Sequence, residues 1–256
     1  MRFDTFIRAL GEALVTAANE AGRDGRFAFR FDGNGNDESA HGVPLGELDL
    51  EGQDVDALKL AGSRSDHVHV TTGDRLAIRV EGDDDDDDTA LRFRIDGNCL
   101  KIARRSGMGG GSRIDVTLPG LRRIAISGGG TVEAETLASE ASIAIGGSGR
   151  VSVAKLAGHS LSAKIGGAGD IAIGGGSVDE LSLAIGGSGT LDAVALDVGK
   201  AEIRIGGSGK AQFASDGEVT ARIGGSGDIV VHGAARCSLK AGGSGRLRCV
   251  PRERAA

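Results

Sequence analysis

IGGSG at Ile185–Gly189 recurs verbatim at Ile145–Gly149, Ile205–Gly209 and Ile223–Gly227. Near copies flank these: ISGGG from Ile126, IGGAG from Ile165 and AGGSG from Ala241. The leading apolar residues are spaced by 19, 20, 20, 20, 18 and 18 positions. That interval is too short for paired-helix repeats and suits one coil of a β-solenoid.

On both sides of each glycine cluster apolar and polar residues alternate, the period of strands with one buried face. The inward sets are Leu161, Ala163, Ile165, Ile171 and Ile173; Leu181, Leu183, Ile185, Leu191 and Ala193; Ala201, Ile203, Ile205, Ala211 and Phe213; and Val219, Ala221, Ile223, Ile229 and Val231. Each coil therefore reads as strand, glycine corner, strand and a looser polar return such as Ala154–Ser160.

Two properties favour glycine at the corner. A sharp bend calls for positive φ, which glycine adopts cheaply, and stacked corners leave little room for side chains. The structural corner residues are Gly146, Gly147 and Gly149; Gly166, Gly167 and Gly169; Gly186, Gly187 and Gly189; Gly206, Gly207 and Gly209; and Gly224, Gly225 and Gly227. Ser148, Ser188, Ser208, Ser226 and Ser244, with Ala168 among them, form an equivalent row. Their hydroxyls are expected to bond neighbouring corner backbones and form a structural ladder.

Each coil offers about five inward side chains, worth roughly 1.5–3 kcal/mol apiece when fully buried. A single coil leaves both ends of that core open, so stability must come from neighbours stacked at about 4.8 Å, roughly 30 Å over seven coils. The closing RLRCVPRERAA carries charge and Pro251 that blunt an exposed edge.

Composition agrees. Among 256 residues, 45 glycines and 3 prolines in a strict period indicate a solenoid rather than disorder. A net charge of −6 implies no general nucleic-acid partner. No run of 18 apolar residues is present to form a transmembrane segment.

Three sections follow. Residues 1–25 read as a short amphipathic helix that caps the solenoid, from the stripe Phe3, Phe6, Ile7, Leu10, Leu14, Val15 and Ala18. A degenerate signal segment is the alternative, though Asp4 and Glu12 interrupt the pattern of a clear signal peptide. Residues 26–120 form an irregular β section with strands at Phe27–Phe31, His67–Val70, Leu76–Val80, Leu91–Ile95 and Ile114–Leu118. Residues 121–256 are the regular glycine-cornered coils.

VTLPGLRRIAISGGGTVEAETL at Val116–Leu137, preceded by DHVHVTTGDRLAIRVEGDD and LRFRIDGNCLKI, resembles the GIN-domain family, described as bacterial auto-transporter adhesin heads. The resemblance spans roughly residues 45–250. It implies a right-handed parallel β-helix, an exported or cell-envelope location and a non-enzymatic, adhesin-like role. It supplies no catalytic residues.

Calcium solenoids need a consistent row of aspartates, but Asp170 and Asp228 share their row with Arg150, Thr190, Lys210 and Arg246. The mixed signs look instead like avoidance of a single-sign stack. Asp83, Asp84, Asp85, Asp86, Asp87 and Asp88 form a charge run expected in a solvated loop, and are at most a weak cation site. DGNGND at Asp32–Asp37 fails as an EF-hand, with Asp37 and Val43 where glycine and glutamate are required. His67 and His69 share a strand face but lack a third ligand at zinc spacing. His41, His159 and His232 are scattered, and the sequence suggests no partner for them.

Cys237 and Cys249 occupy inward positions equivalent to Val219 and Val231, as small hydrophobes or as one bridge, while Cys99 lies in an apolar strand. Cofactors are expected to be none. Parallel β-helices also carry polysaccharide lyases, but short returns build no cleft walls and the absence of Trp and Tyr removes sugar-stacking platforms. The expectation is a surface interaction protein with an unknown surface ligand or protein partner. The alternative is an assembly module that pairs through exposed strands or a coil end, as a homo-oligomer or with another chain.

Overall fold

The computed structural model describes residues 42–61, 66–81, 90–105 and 111–251. The N-terminal helix reading, the Phe27–Phe31 strand, Asp32–Asp37, His41 and Asp83–Asp88 lie outside these residues.

The opening section contains β1 (Ala57–Ala61), β2 (His67–Thr72), β3 (Ala77–Glu81), β4 (Leu91–Asp96), β5 (Cys99–Arg104) and β6 (Arg113–Leu118). The regular section contains β7 (Arg123–Ser127), β8 (Thr131–Leu137), β9 (Glu140–Ile145), β10 (Arg150–Ile165), β11 (Asp170–Ile173), β12 (Gly176–Ile185) and β13 (Thr190–Ile205). It closes with β14 (Lys210–Ala214), β15 (Glu218–Ile223), β16 (Asp228–His232), β17 (Arg236–Ala241) and β18 (Arg246–Val250).

From β7 onward every pairing is parallel, and each strand from β9 to β16 meets the one a coil earlier and a coil later, the arrangement of a β-solenoid. The twenty inward residues read from the alternation are all buried, at 4 % exposure or less. The shortening of the repeat from 20 to 18 residues has a physical location. Ala193 pairs with Phe213, but Asp197 pairs with Ala214, so the coil loses three residues at this register shift and regains one before Lys200 pairs with Glu218.

The return differs from its expected loose, polar form. Ala154–Ser160 lies inside the continuous strand β10, where Leu156 is fully buried between Leu137 and Gly176. Leu196 extends this third inward column, and buried Val178 and Val198 stack beside it in register with Gly158. Gly176 has φ 124°, and a Cβ there would strike the Leu156 carbonyl, so both backbone conformation and close approach call for glycine.

The opening section is not stacked in sequence order. β1 is sandwiched between β5 and β7, and β2 between β6 and β8, so the layer made later in the chain lies beneath the earlier one. β3 and β4 finish that end as antiparallel strands on β6 and β5.

At the regular corners one reason for glycine holds and the other does not. Positive φ occurs at Gly128 and Gly130 in the first corner, but at none of the fifteen corner glycines named from the repeat. Close approach governs those. A Cβ on Gly147, Gly167, Gly187, Gly207 or Gly225 would lie 2.1–2.3 Å from the carbonyl oxygen of the glycine one coil below. A Cβ on Gly149, Gly169, Gly189, Gly209 or Gly227 would lie 2.4–2.8 Å from an isoleucine Cγ2. The first glycine of each cluster has no such obstacle, as Gly166, Gly186, Gly206 and Gly224 show with nearest atoms at 3.8–3.9 Å.

Candidate functional site

Close packing at the corners keeps the hydrogen-bond ladder unbroken through the bend. Gly186 N–H donates to Ile165 O at 2.8 Å, Ser188 N–H to Gly167 O at 3.0 Å and Thr190 N–H to Gly169 O at 3.0 Å, and the pattern repeats coil after coil. The serine row therefore takes part through its backbone N–H groups. The side chains of Ser148, Ser188, Ser208 and Ser226 remain exposed on the corner.

Next to that row runs a column in strict register: Arg150, Asp170, Thr190, Lys210, Asp228 and Arg246. Arg150 Nη2 donates to Asp170 Oδ2 at 3.1 Å, and Arg248 Nη2 donates to Asp228 Oδ2 at 2.8 Å. Both carboxylates are thus engaged by guanidinium groups and are separated by Thr190 and Lys210, so they do not converge. A shallow open depression at the first corners is lined by Gly129, Gly130, Thr131, Ser148, Arg150 and Asp170.

His67 and His69 lie on β2 between acidic partners the sequence did not reveal. His67 Nε2 is 3.1 Å from Glu133 on β8, and His69 Nδ1 is 3.6 Å from Asp115 on β6. The rings turn to opposite neighbours. Among the described residues no group of three or more His, Cys, Asp or Glu is placed to hold a metal ion. His159, without an expected partner, has one: its Nδ1 lies 2.8 Å from Asp179 Oδ2 one coil up, and this hydrogen bond raises the imidazole pKa above 6.5. His232 is half-buried on β16.

Cys99 is half-buried on β5, and burial pushes its thiol pKa up, which suits a protonated, unreactive sulfur. Asp96, bonded by Lys101 Nζ at 2.9 Å, is held below the usual carboxylate range. Cys237 and Cys249 stand at the register positions of Val219 and Val231, as the repeat indicates. They are joined as a disulfide and exposed instead of buried, and among the described residues no further coil pairs with theirs.

One interior polar group escaped sequence reasoning. Asp66 is fully buried at the start of β2 and accepts both Nε and Nη2 of buried Arg104 and the backbone N–H of Ser112 at 3.0 Å. Arg104 also donates to Ser112 Oγ at 2.6 Å. The cluster joins the two layers whose spatial order is reversed, β5–β6 and β1–β2. Burial without such pairing would be costly, so both charges are satisfied locally.

Comparison with known proteins is consistent with this architecture. A protein from Bacteroides fragilis described as a "putative adhesin" superposes with a TM-score of 0.69 at 20 % identity, covering 77 % of this chain and 93 % of that one. A Parabacteroides merdae protein of the same description gives a TM-score of 0.59 at 20 % identity, covering 77 % and 92 %. A "putative lipid binding protein" from Parabacteroides distasonis gives 0.58 at 22 % identity, covering 79 % and 94 %. At these identities the likeness establishes the fold. No curated protein matches the chain. The family described as "Putative auto-transporter adhesin, head GIN domain" matches residues 56–235, most of the chain including both the reordered opening layers and the glycine-cornered coils, and the protein belongs to that family.

Proposed function

We propose that this protein is a non-enzymatic interaction module of the adhesin-head kind, acting at the cell envelope or in secreted form, and that it binds through the outer flanks of the solenoid. The observation that carries this reading is the uninterrupted corner ladder. Strand, three-glycine corner and strand follow in each regular coil without an insertion, so outward side chains form flat, regularly spaced columns. Flat columns suit extended contact with another surface, whereas hydrolytic or lyase chemistry needs convergent acid and base groups in a recess. The histidines and carboxylates of the β6–β2–β8 flank face one another in separate pairs, which supports the binding reading.

The test joins location to ligand. The tagged full chain is expressed in its native host, fractionated and sequenced from its N-terminus, and the recovered protein is screened on glycan and extracellular-protein arrays beside a uronate-lyase assay. Envelope or medium recovery with array binding is the expected result. An unprocessed cytosolic product that binds nothing on the arrays, or a turnover of uronate substrate, would overturn the reading.

A further inference from the structure

The last coil of the stack is an unfinished sheet edge. β17 pairs with β15 and β18 with β16, and their other sides pair with no described strand. Such a row of free N–H and C=O groups is a template for an added strand. The inward rungs are open too. Leu239 is 38 % exposed where its partner Ala221 is sealed, and Leu247 is half-buried above sealed Ile229. The Cys237–Cys249 bridge ties β17 to β18 across the coil and holds both edges in place.

The outward columns indicate what chemistry would complete that edge. One column reads Glu180, Lys200, Glu218, Arg236 in register. The other reads Arg150, Asp170, Thr190, Lys210, Asp228, Arg246. In both, a charge is followed by its opposite or by a neutral residue, and both stop on arginine. Lys240 follows Arg204 and Arg222, whose guanidinium groups share Glu202 one coil below Arg222. Among the described residues no carboxylate pairs with Arg236, Lys240 or Arg246.

A second copy is a poor occupant. Joined tail to tail, the edges would set Arg236, Lys240 and Arg246 against the same residues. Joined head to tail, they would meet β3 and β4, where Arg79, Arg92 and Arg94 outnumber the one exposed carboxylate left to them, Glu81, because Asp96 is taken by Lys101. Like charges across a pairing strand oppose association.

We propose that the last coil is a docking edge for extended acidic segments of another polypeptide, one adding a strand on β17 with carboxylates over Arg236 and Lys240 and an apolar residue over Leu239, the other adding a strand on β18 with a carboxylate over Arg246 and an apolar residue over Leu247. This goes beyond flank binding and does not depend on it.

The experiment uses the full oxidised chain and two fluorescent peptides, one of alternating Glu and Val and one of alternating Lys and Val, followed by anisotropy and by amide NMR shifts on β17 and β18. The acidic peptide is expected to bind at these strands and to weaken as salt rises from about 0.05 to about 0.5 M. Arg236→Glu with Arg246→Glu should cost about tenfold or more in affinity for it, and should admit the lysine peptide. Arg246→Gln gives a milder check should the doubly reversed chain lose its native circular dichroism, and Arg79→Glu at the opposite end should change nothing. Equal binding of both peptides, binding of neither, or shifts away from the last coil would overturn the proposal. So would self-association of the chain that disappears when Asp83–Asp88 are replaced by serine, because a second copy's acidic run would then be the occupant.

Discussion

Substituting alanine at two adjacent glycines of one corner separates backbone freedom from close approach. At Gly187 an added Cβ lies 2.2 Å from Gly167 O, the oxygen that accepts the Ser188 N–H at 3.0 Å. Relieving that overlap to ordinary van der Waals distance needs a local separation of about 1 Å, which takes the hydrogen bond out of range. The loss is one or two ladder bonds at about 0.5–1.5 kcal/mol each, with overpacking strain of about 1–3 kcal/mol. Gly187→Ala should therefore destabilise by roughly 2–4 kcal/mol. Gly186→Ala meets nothing closer than 3.9 Å and should stay within about 0.5 kcal/mol of the parent. Urea unfolding followed by circular dichroism measures both, and hydrogen exchange by mass spectrometry should place the loosened amides at Gly186–Thr190. Equal stability of the two variants would refute close approach as the reason for the second glycine.

Three further outcomes are expected. Asp66→Ala leaves buried Arg104 without its carboxylate, so thermal or urea unfolding should show a loss of about 3–5 kcal/mol, with Asp66→Asn intermediate. Reducing Cys237–Cys249, which lie 12 residues apart, removes a constraint worth about 3 kcal/mol for a loop of that size. In a stack the effect should be local, with faster hydrogen exchange in β17 and β18 and none in β12. His159 has a raised folded pKa, so its pair with Asp179 contributes fully below the ordinary value of 6.5 and is lost as pH rises through the raised value. NMR titration should show Asp179→Asn returning His159 toward 6.5, and an unchanged titration would exclude the pair.

The regular coils were legible because a repeat carries long-range register within itself: once Ile165 and Ile185 are aligned, every inward residue between them is placed. The opening section has no repeat, so nothing local indicates that β5 lies beneath β1 or that Asp66 reaches Arg104 across 38 positions. The same limit hid Glu133 and Asp115 beside the histidines, since each pair joins separate strands of the stack. The third inward column was missed for a different reason. Leu156 and Leu196 each follow two consecutive exposed residues within β10 and β13, where strict alternation breaks and periodicity carries no signal.

Stacking also decides which surface charges carry information about a partner. Outward residues of successive coils repeat at about 4.8 Å, and two like charges at that distance repel by about 0.9 kcal/mol even in water. Alternation such as Arg150 with Asp170, or Glu180 with Lys200, is therefore what a stable stack requires and says little about a ligand. Charges that break the rule are more informative. Arg204 and Arg222 are adjacent like charges, but Glu202 contacts both and removes the conflict within the chain. Lys240 then adds a third cation to that column with no carboxylate beside it, in the same coil where Arg246 stands over Asp228, a carboxylate that Arg248 already engages. Cations on the last coil oppose pairing with a neutral or like-charged edge, and the same cations admit a strand that brings carboxylates to them.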